Sequence, residues 1–141
     1  MYLSATSLSE LSGSEAHELF KLRTDIFVVE QQCAYAEIDD IDAAKDTVHI
    51  RMRAEDGTLI GVARVYPSEM EWHIGRVCVA PAWRGTGMAA KLFEYALSRT
   101  SGPVELTAQS PLRQWYEQFG FEVCGPEFDW DGIPHLPMRR G

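Results

Sequence analysis

The stretch from Ile74 to Leu97 constrains this chain more than any other. An apolar segment, Ile74-Gly75-Arg76-Val77-Cys78-Val79, runs through Ala80-Pro81-Ala82-Trp83 into Arg84-Gly85-Thr86-Gly87-Met88-Ala89. Ala89, Leu92, Phe93, Ala96 and Leu97 then recur at helical spacing, with Lys91, Glu94 and Arg99 off that face. A strand that enters a helix through a two-glycine turn sets sheet and helix side by side. The glycines permit backbone conformations and close approaches that a Cβ would block. Several amide N–H groups can therefore converge at the start of the helix, where the dipole and the unpaired donors favour an anion such as a pyrophosphate. Arg84 adds a charged donor at the same edge.

A helix-opening turn with no ligand would also tolerate two glycines. A Walker A loop is excluded, because no Gly-Lys-Ser/Thr follows. Gly85-Thr86-Gly87-Met88-Ala89-Ala90 fits the dinucleotide pattern Gly-x-Gly-x-x-Ala, and Glu105 lies twenty residues beyond Gly85. An antiparallel meander precedes the turn, however, and the remaining residues cannot build two mononucleotide halves.

Around this unit the chain reads as mixed α/β. Ser12-Gly13-Ser14-Glu15 is a capping box that opens a helix carrying Ala16, Leu19, Phe20, Arg23 and Phe27 on one face. The acidic stretch Glu37 to Asp42 interrupts that pattern and is expected as a loop. Val48, Ile50 and Met52 alternate with polar residues, Glu55-Asp56-Gly57-Thr58 marks a hairpin, and Leu59 to Tyr66 forms the return strand. Pro67-Ser68 makes the next turn, and Trp72 to Val79 supplies a third strand. Downstream, Val104 to Ala108 predicts a strand. Ser110 (cap), Pro111 (first position) and Gly120 (C′) bracket a second helix. Phe121 to Cys124 and Ile133 to Arg139 complete the sheet.

The chain has 141 residues, 45% of them apolar and 24% charged, which predicts one domain over 1–141 and is too apolar for disorder. A net charge of −8 argues against a nucleic-acid partner, which needs a basic footprint. A local nest of amides can still hold phosphate on an acidic protein. Cys33, Cys78 and Cys124 are too few and scattered for a disulfide framework or a zinc knuckle and are expected as reduced, packed thiols; no metal cluster is apparent. The N-terminal residues lack a basic, apolar leader, and no apolar run approaches the ~20 residues of a membrane span. A soluble cytoplasmic protein with no membrane partner is expected, and pairing into a homodimer stays open.

The turn and its flanks resemble motif A of the GNAT superfamily, whose pattern is Arg/Gln-x-x-Gly-x-Gly/Ala. Arg84, Gly87 and Ala89 match it, and Val77, Val79 and Pro81 match the strand before it. Trp115-Tyr116-Glu117-Gln118-Phe119-Gly120-Phe121 resembles that family's motif B. The resemblance implies an acyl-CoA N-acyltransferase fold, with a mixed, mostly antiparallel sheet flanked by helices. It also implies acetyl-CoA as co-substrate and transfer of its acetyl group to a primary amine of a small molecule or peptide. The amides of Arg84, Gly85, Thr86, Gly87, Met88 and Ala89 would hold the pyrophosphate. Val77, Cys78 and Val79 would line the pantetheine arm, with Gln109 and Tyr116 also near the cofactor. The Tyr116 hydroxyl would protonate the departing thiolate, a general-acid role; a buried core tyrosine is the alternative.

The segment from Arg23 to Tyr35, followed by Glu37-x-Asp39-x-x-Asp42, is similar to the ElaA-type branch of that superfamily, as are Ala108-Gln109 and Asp131-Gly132-Ile133-Pro134-His135. Ala34 departs from the branch, which usually has proline there. Arg23, Phe27 and the same acidic run also resemble the N-terminal signature of acyl-homoserine-lactone synthases, although this chain is short and lacks the tryptophan expected near Tyr35. A simpler reading has Glu37, Asp39 and Asp42 capping turns and pairing with Arg23 or another cation. A non-catalytic acyl-CoA sensor or interaction module also stays open.

Acetylating an amine needs a neutral nitrogen, whereas an alkyl ammonium is mostly protonated at neutral pH. Glu30, Glu37, Glu71, His73 and His135 are candidate bases, with Glu30 placed first. Arg23, Phe27, Glu30, His73 and His135 are the candidate acceptor contacts. No Cys-His motif surrounds Cys78, so direct attack by the amine is expected over a cysteine intermediate.

Overall fold

A computed structural model describes residues 1–33 and 36–141. The chain runs through β1 (Tyr2–Thr6), α1 (Gly13–Thr24), a π-helical turn (Asp25–Glu30), α2 (Asp40–Ala43), β2 (Val48–Arg53), β3 (Leu59–Pro67) and β4 (Trp72–Val79). It continues through α3 (Met88–Ser98), β5 (Val104–Gln109), α4 (Arg113–Glu117), β6 (Glu122–Val123), β7 (Phe128–Trp130) and β8 (Ile133–Arg140). The strands form one sheet in the order β1-β2-β3-β4-β5-β8-β6, with β7 paired to β8. Every pairing is antiparallel except β4 with β5.

Both faces of the sheet are covered. Along β2, Ile50 and Met52 point to the layer of α3 and α4 and are fully buried with Leu92, Phe93 and Met138. Their neighbours point the other way, under α1. His49 meets Phe20 edge-on at 6.4 Å, and Arg51 Nη1 donates to Glu15 Oε2 at 3.1 Å. A second apolar cluster of Leu19, Ile26, Phe27, Val62 and Cys78 seals that side.

α1 begins as the sequence predicts. Ser12 Oγ accepts from the Glu15 amide at 3.1 Å, and the Ser12 amide donates to Glu15 Oε1 at 2.9 Å. At its far end the helix widens. Thr24 Oγ1 donates back to the Phe20 carbonyl at 2.9 Å, and the Gln31 amide reaches the Ile26 carbonyl five residues back at 2.9 Å. Such π-turns redirect side chains, and here Phe27 and Gln31 face the cleft described below.

Three expectations are corrected, and two strands appear that the sequence reading did not predict. The acidic run is not all loop: Asp39 Oδ1 accepts from the Ile41 amide (3.1 Å) and Asp42 Oδ2 from the Asp39 amide (3.0 Å), an all-aspartate capping box that nucleates α2. Tyr2–Thr6 becomes strand β1 by pairing with β2 along its whole length. Ser110 does not cap a helix; its hydroxyl donates to Glu127 Oε2 at 2.8 Å, and a 3-10 turn precedes the short α4. β7 closes on β8 through Asp131 and Gly132, both at positive φ (52° and 82°), as a two-residue hairpin turn requires. Cys124 is exposed rather than packed, while Cys33 and Cys78 are buried thiols. No described helix is long and apolar enough to cross a membrane. Ala34 and Tyr35 lie outside the described residues.

Candidate active site

The site is made by a sheet that splits. β4 and β5 pair only at Trp72 with Val104 and at His73 with Glu105, near one end. Between Val62 and Arg64 of β3 the partner strand advances by an extra residue, and Arg76 adopts φ 53°. That bulge bends β4 away from β5. In the antiparallel ladder with β3, alternate residues of β4 turn their backbone groups away from β3. Val79 does so, since its carbonyl accepts from Arg84 Nε at 3.1 Å, and Val77, inside the bulge, borders both cavities described below. The split therefore leaves β4 without a β5 partner along the segment that holds both valines.

Two cavities meet in the opening. One, of about 270 Å³, is lined by Glu30, Val77, Cys78, Val79, Arg84 and Ala89, among others. The other, of about 460 Å³, is lined by Arg64, Tyr66, His73, Glu105, Gln109 and His135, among others. Phe27, Gln31, Val77, Leu112 and Tyr116 border both.

The smaller cavity leads to the glycine turn. Gly87 caps α3 at φ 81° without a side chain, and Gly85 stands at φ 75°. Apart from the glycines and their chain neighbours, no described heavy atom lies within 4 Å of where a Cβ would stand on either. The first amides of α3 have no intrahelical acceptor, so the turn is an open cradle of donors at a positive helix end. Thr86 Oγ1 braces it by donating to the Trp83 carbonyl at 2.5 Å. The donor set fits a pyrophosphate, and the exposed edge of β4 fits an extended amide-bearing arm.

Arg84 does not hang free beside this cradle. Its Nη1 and Nη2 donate to Glu30 Oε2 and Oε1 at 2.7 and 2.9 Å. The same hydrogen bonds hold the Glu30 carboxyl below its usual range. Glu30, the base placed first from sequence, is thus a poor proton acceptor that faces the smaller cavity, and its geometry suits the orientation of Arg84. Arg23, read as an acceptor contact, lines neither cavity. It is 1% exposed, and it donates to Glu37 Oε2 (2.8 Å), the Glu37 carbonyl (2.6 Å) and Asp42 Oδ1 (2.6 Å). Arg64 bridges Asp39 and Asp42, and Arg76 reaches Glu37 and Asp39. The acidic run is therefore an ion cluster that locks the segment after α1 onto β3 and β4, as the simpler reading held. Glu37, engaged by Arg23 and Arg76, lines neither cavity.

Gln109, expected near the cofactor, lines the larger cavity and donates to Gln31 Oε1 at 2.8 Å, tying β5 to the π-turn. His73 and His135 both line that cavity, and Phe27 lies on the shared wall. His73 stacks on Tyr66 at 5.0 Å, with Nε2 3.1 Å from Ser68 Oγ. Glu105, Trp130 and Leu112 were not singled out as site residues. Glu105 shares a hydrogen bond with Glu71 that pushes its carboxyl up and Glu71 down, while Arg139 Nε donates to Glu71 Oε2 at 3.2 Å. No local motif marks these residues; only alternation along β5 could have pointed Glu105 inward.

Tyr116 is positioned by packing. Phe93, fully buried on α3, meets Tyr116 at 5.3 Å edge-on, Trp115 at 5.5 Å, Phe119 at 5.0 Å and Phe121 at 5.7 Å. This aromatic cluster seats α4 on α3 and turns Tyr116 toward the junction of the cavities. Burial pushes the phenol up to about 12, so it stays protonated. Burial also pushes the Cys78 thiol up to about 12, which removes the thiolate a covalent route needs.

A family model described as an acetyltransferase (GNAT) domain matches residues 14–140. Protein ElaA of Escherichia coli is 37% identical over 140 residues, covering 94% of this chain and 91% of ElaA. Its crystal structure gives a TM-score of 0.91, covering 99% of each chain. The structure of an acyl-CoA N-acyltransferase from Pseudomonas aeruginosa gives 0.92 at 34% identity over 100% of both chains. BjaI, a CoA-dependent acyl-homoserine lactone synthase, is similar in fold alone, with a TM-score of 0.77 at 20% identity over 97% of this chain and 81% of that one. With its split sheet, its open glycine cradle and these relatives, the chain belongs to the GNAT acetyltransferase family, in its ElaA-type branch, whose fold takes acyl-CoA as co-substrate.

Proposed function

We infer that this protein is an acetyl-CoA-dependent N-acetyltransferase that moves the acetyl group to a primary amine by direct attack. The observation that carries this reading is the pair of cavities meeting at Tyr116, one at the glycine cradle and one at the imidazoles and carboxylates. Acetyl-CoA laid from the Arg84–Ala89 turn along the free edge of Val77 and Val79 would bring its thioester to that junction. An amine in the larger cavity would face it there. The co-substrate supplies an acyl carbon already activated by its sulfur, and the protein's own residues orient it and manage protons. Tyr116 is the donor toward the departing sulfur. Its raised pKa secures the protonated form, and hydrogen bonding to the developing thiolate supplies the stabilisation. The buried, inert Cys78 thiol supports attack without a cysteine intermediate.

The test is a screen of acetyl-CoA consumption against alkyl amines, polyamines and peptides with free N-termini. The expected result is saturable turnover with at least one class, with initial rates that vary with both substrates as a ternary complex demands. A covalent acetyl-enzyme formed without acceptor would overturn direct attack. Binding of acetyl-CoA without transfer to any amine would favour a sensor instead.

A further inference from the structure

We propose that His135 is the general base of the transfer, its Nε2 taking the proton from the acceptor nitrogen; this rests on the transferase reading above. His135 stands on β8 opposite Gln109 of β5, is 6% exposed and lines the larger cavity. Its Nδ1 lies 2.7 Å from the Ile133 carbonyl. A backbone carbonyl can only accept, so the ring proton sits on Nδ1 and the neutral imidazole carries its lone pair on Nε2. Nε2 has no hydrogen-bond partner among the described residues. A buried ring with one nitrogen pinned and the other unpartnered, on a residue that lines a cavity, is arranged to accept a proton.

The surroundings fix the ring and tolerate its charge. Phe128 stacks on it at 5.9 Å and an interplanar angle of 24°, and Trp130 leans on it at 5.4 Å. Both come from β7, the hairpin strand that exists only because Asp131 and Gly132 turn the chain back onto β8. Aromatic faces favour a cation, so the imidazolium formed during transfer is stabilised where it arises. The rival groups are otherwise engaged. Glu30 is held by Arg84, Glu37 by Arg23 and Arg76, and Glu71 by Arg139 and Glu105. His73 Nε2 faces a serine hydroxyl that leaves its tautomer unfixed.

Protons and electrons then balance. Nε2 takes one proton from the acceptor ammonium and discharges it to solvent. The freed nitrogen lone pair forms the bond to the acyl carbon, and the carbon–sulfur pair leaves with sulfur. Tyr116 gives its proton to sulfur and recovers one, through water, from the new amide nitrogen. One amide, one thiol and one released proton result. The acceptor class is therefore an alkyl amine that arrives charged.

His135→Asn keeps a donor for the Ile133 carbonyl and removes Nε2. With an alkyl amine that wild type acetylates, kcat should fall about a hundredfold or more, the scale of a positioned base, with CoA affinity and melting temperature near wild type. With an arylamine, already neutral at the assay pH, the loss should shrink to a few-fold, which a merely structural role would not produce. An equal loss with both amines, or no loss, overturns the proposal. So does an acceptor-dependent loss in Glu105→Gln with His135→Asn unimpaired. A wild type inactive with every amine counts against the transferase reading itself and is seen before any variant is made. Should His135→Asn misfold, 15N NMR of the wild-type imidazole decides: a pyridine-like Nε2 is expected, and a protonated Nε2 in the neutral ring overturns the assignment.

Discussion

Tyr116→Phe isolates one oxygen. Phenylalanine keeps the edge-on contact with Phe93 and the packing of α4, so stability should change by less than about 1 kcal/mol. CoA affinity should hold, while kcat at saturating co-substrate should drop about 10²-fold; wild-type turnover would make Tyr116 a packing residue. Asp42→Asn probes the ion cluster instead. Removing this carboxylate leaves Arg23 and Arg64 under-compensated in a buried site, where such losses cost about 3–5 kcal/mol, read as a lower urea midpoint. Burial pushes the Asp42 carboxyl up, but the Arg23 hydrogen bonds and charge outweigh it and hold it below its usual range. A depressed pKa contributes stability that is fully present above the unfolded value of about 3.9 and is lost as pH falls through the folded one. Wild type should therefore lose stability steeply below about pH 4, and the Asn variant less steeply.

At the scale of elements, the proposed function assigns the co-substrate to α3 and its entry turn. Gly87→Val forces a β-branched residue to φ near 81°, at roughly 1–2 kcal/mol of strain. Since a Cβ at Gly87 would stand in open space apart from the adjoining residues, the larger effect should fall on the ligand. CoA binding should weaken at least about tenfold by calorimetry, equivalent to 1.4 kcal/mol, while the fold survives. Unchanged affinity in a folded variant would place the pyrophosphate elsewhere. The turn, the α1 capping box and the β2–β3 hairpin are legible because each is set by residues within a few positions of one another. β1 and β7 are not. Each is short, and its pairing partner, rather than its own pattern, makes it a strand.

For the whole molecule, acetyl-CoA should raise the melting temperature and NAD should not. At a hundredfold excess over Kd a ligand adds about 2.7 kcal/mol, or roughly 5–10 °C for a domain of this size. Protection by NAD, or none by millimolar CoA, would refute the cleft assignment. The sequence alone determined the mixed α/β class, the glycine cradle and the ElaA-type membership, because periodicity, capping and motif spacing are short-range properties of the chain. It could not rank the bases or sort cofactor from acceptor contacts. Glu30 turns to Arg84 across 54 positions, Gln109 to Gln31 across 78, and Arg23 disappears into the acidic cluster. Those choices depend on where the β4 bulge splits the sheet and on which side chains the split leaves facing the opening. A carboxylate or an imidazole acquires its role from its partners and its burial, and only the folded chain supplies both.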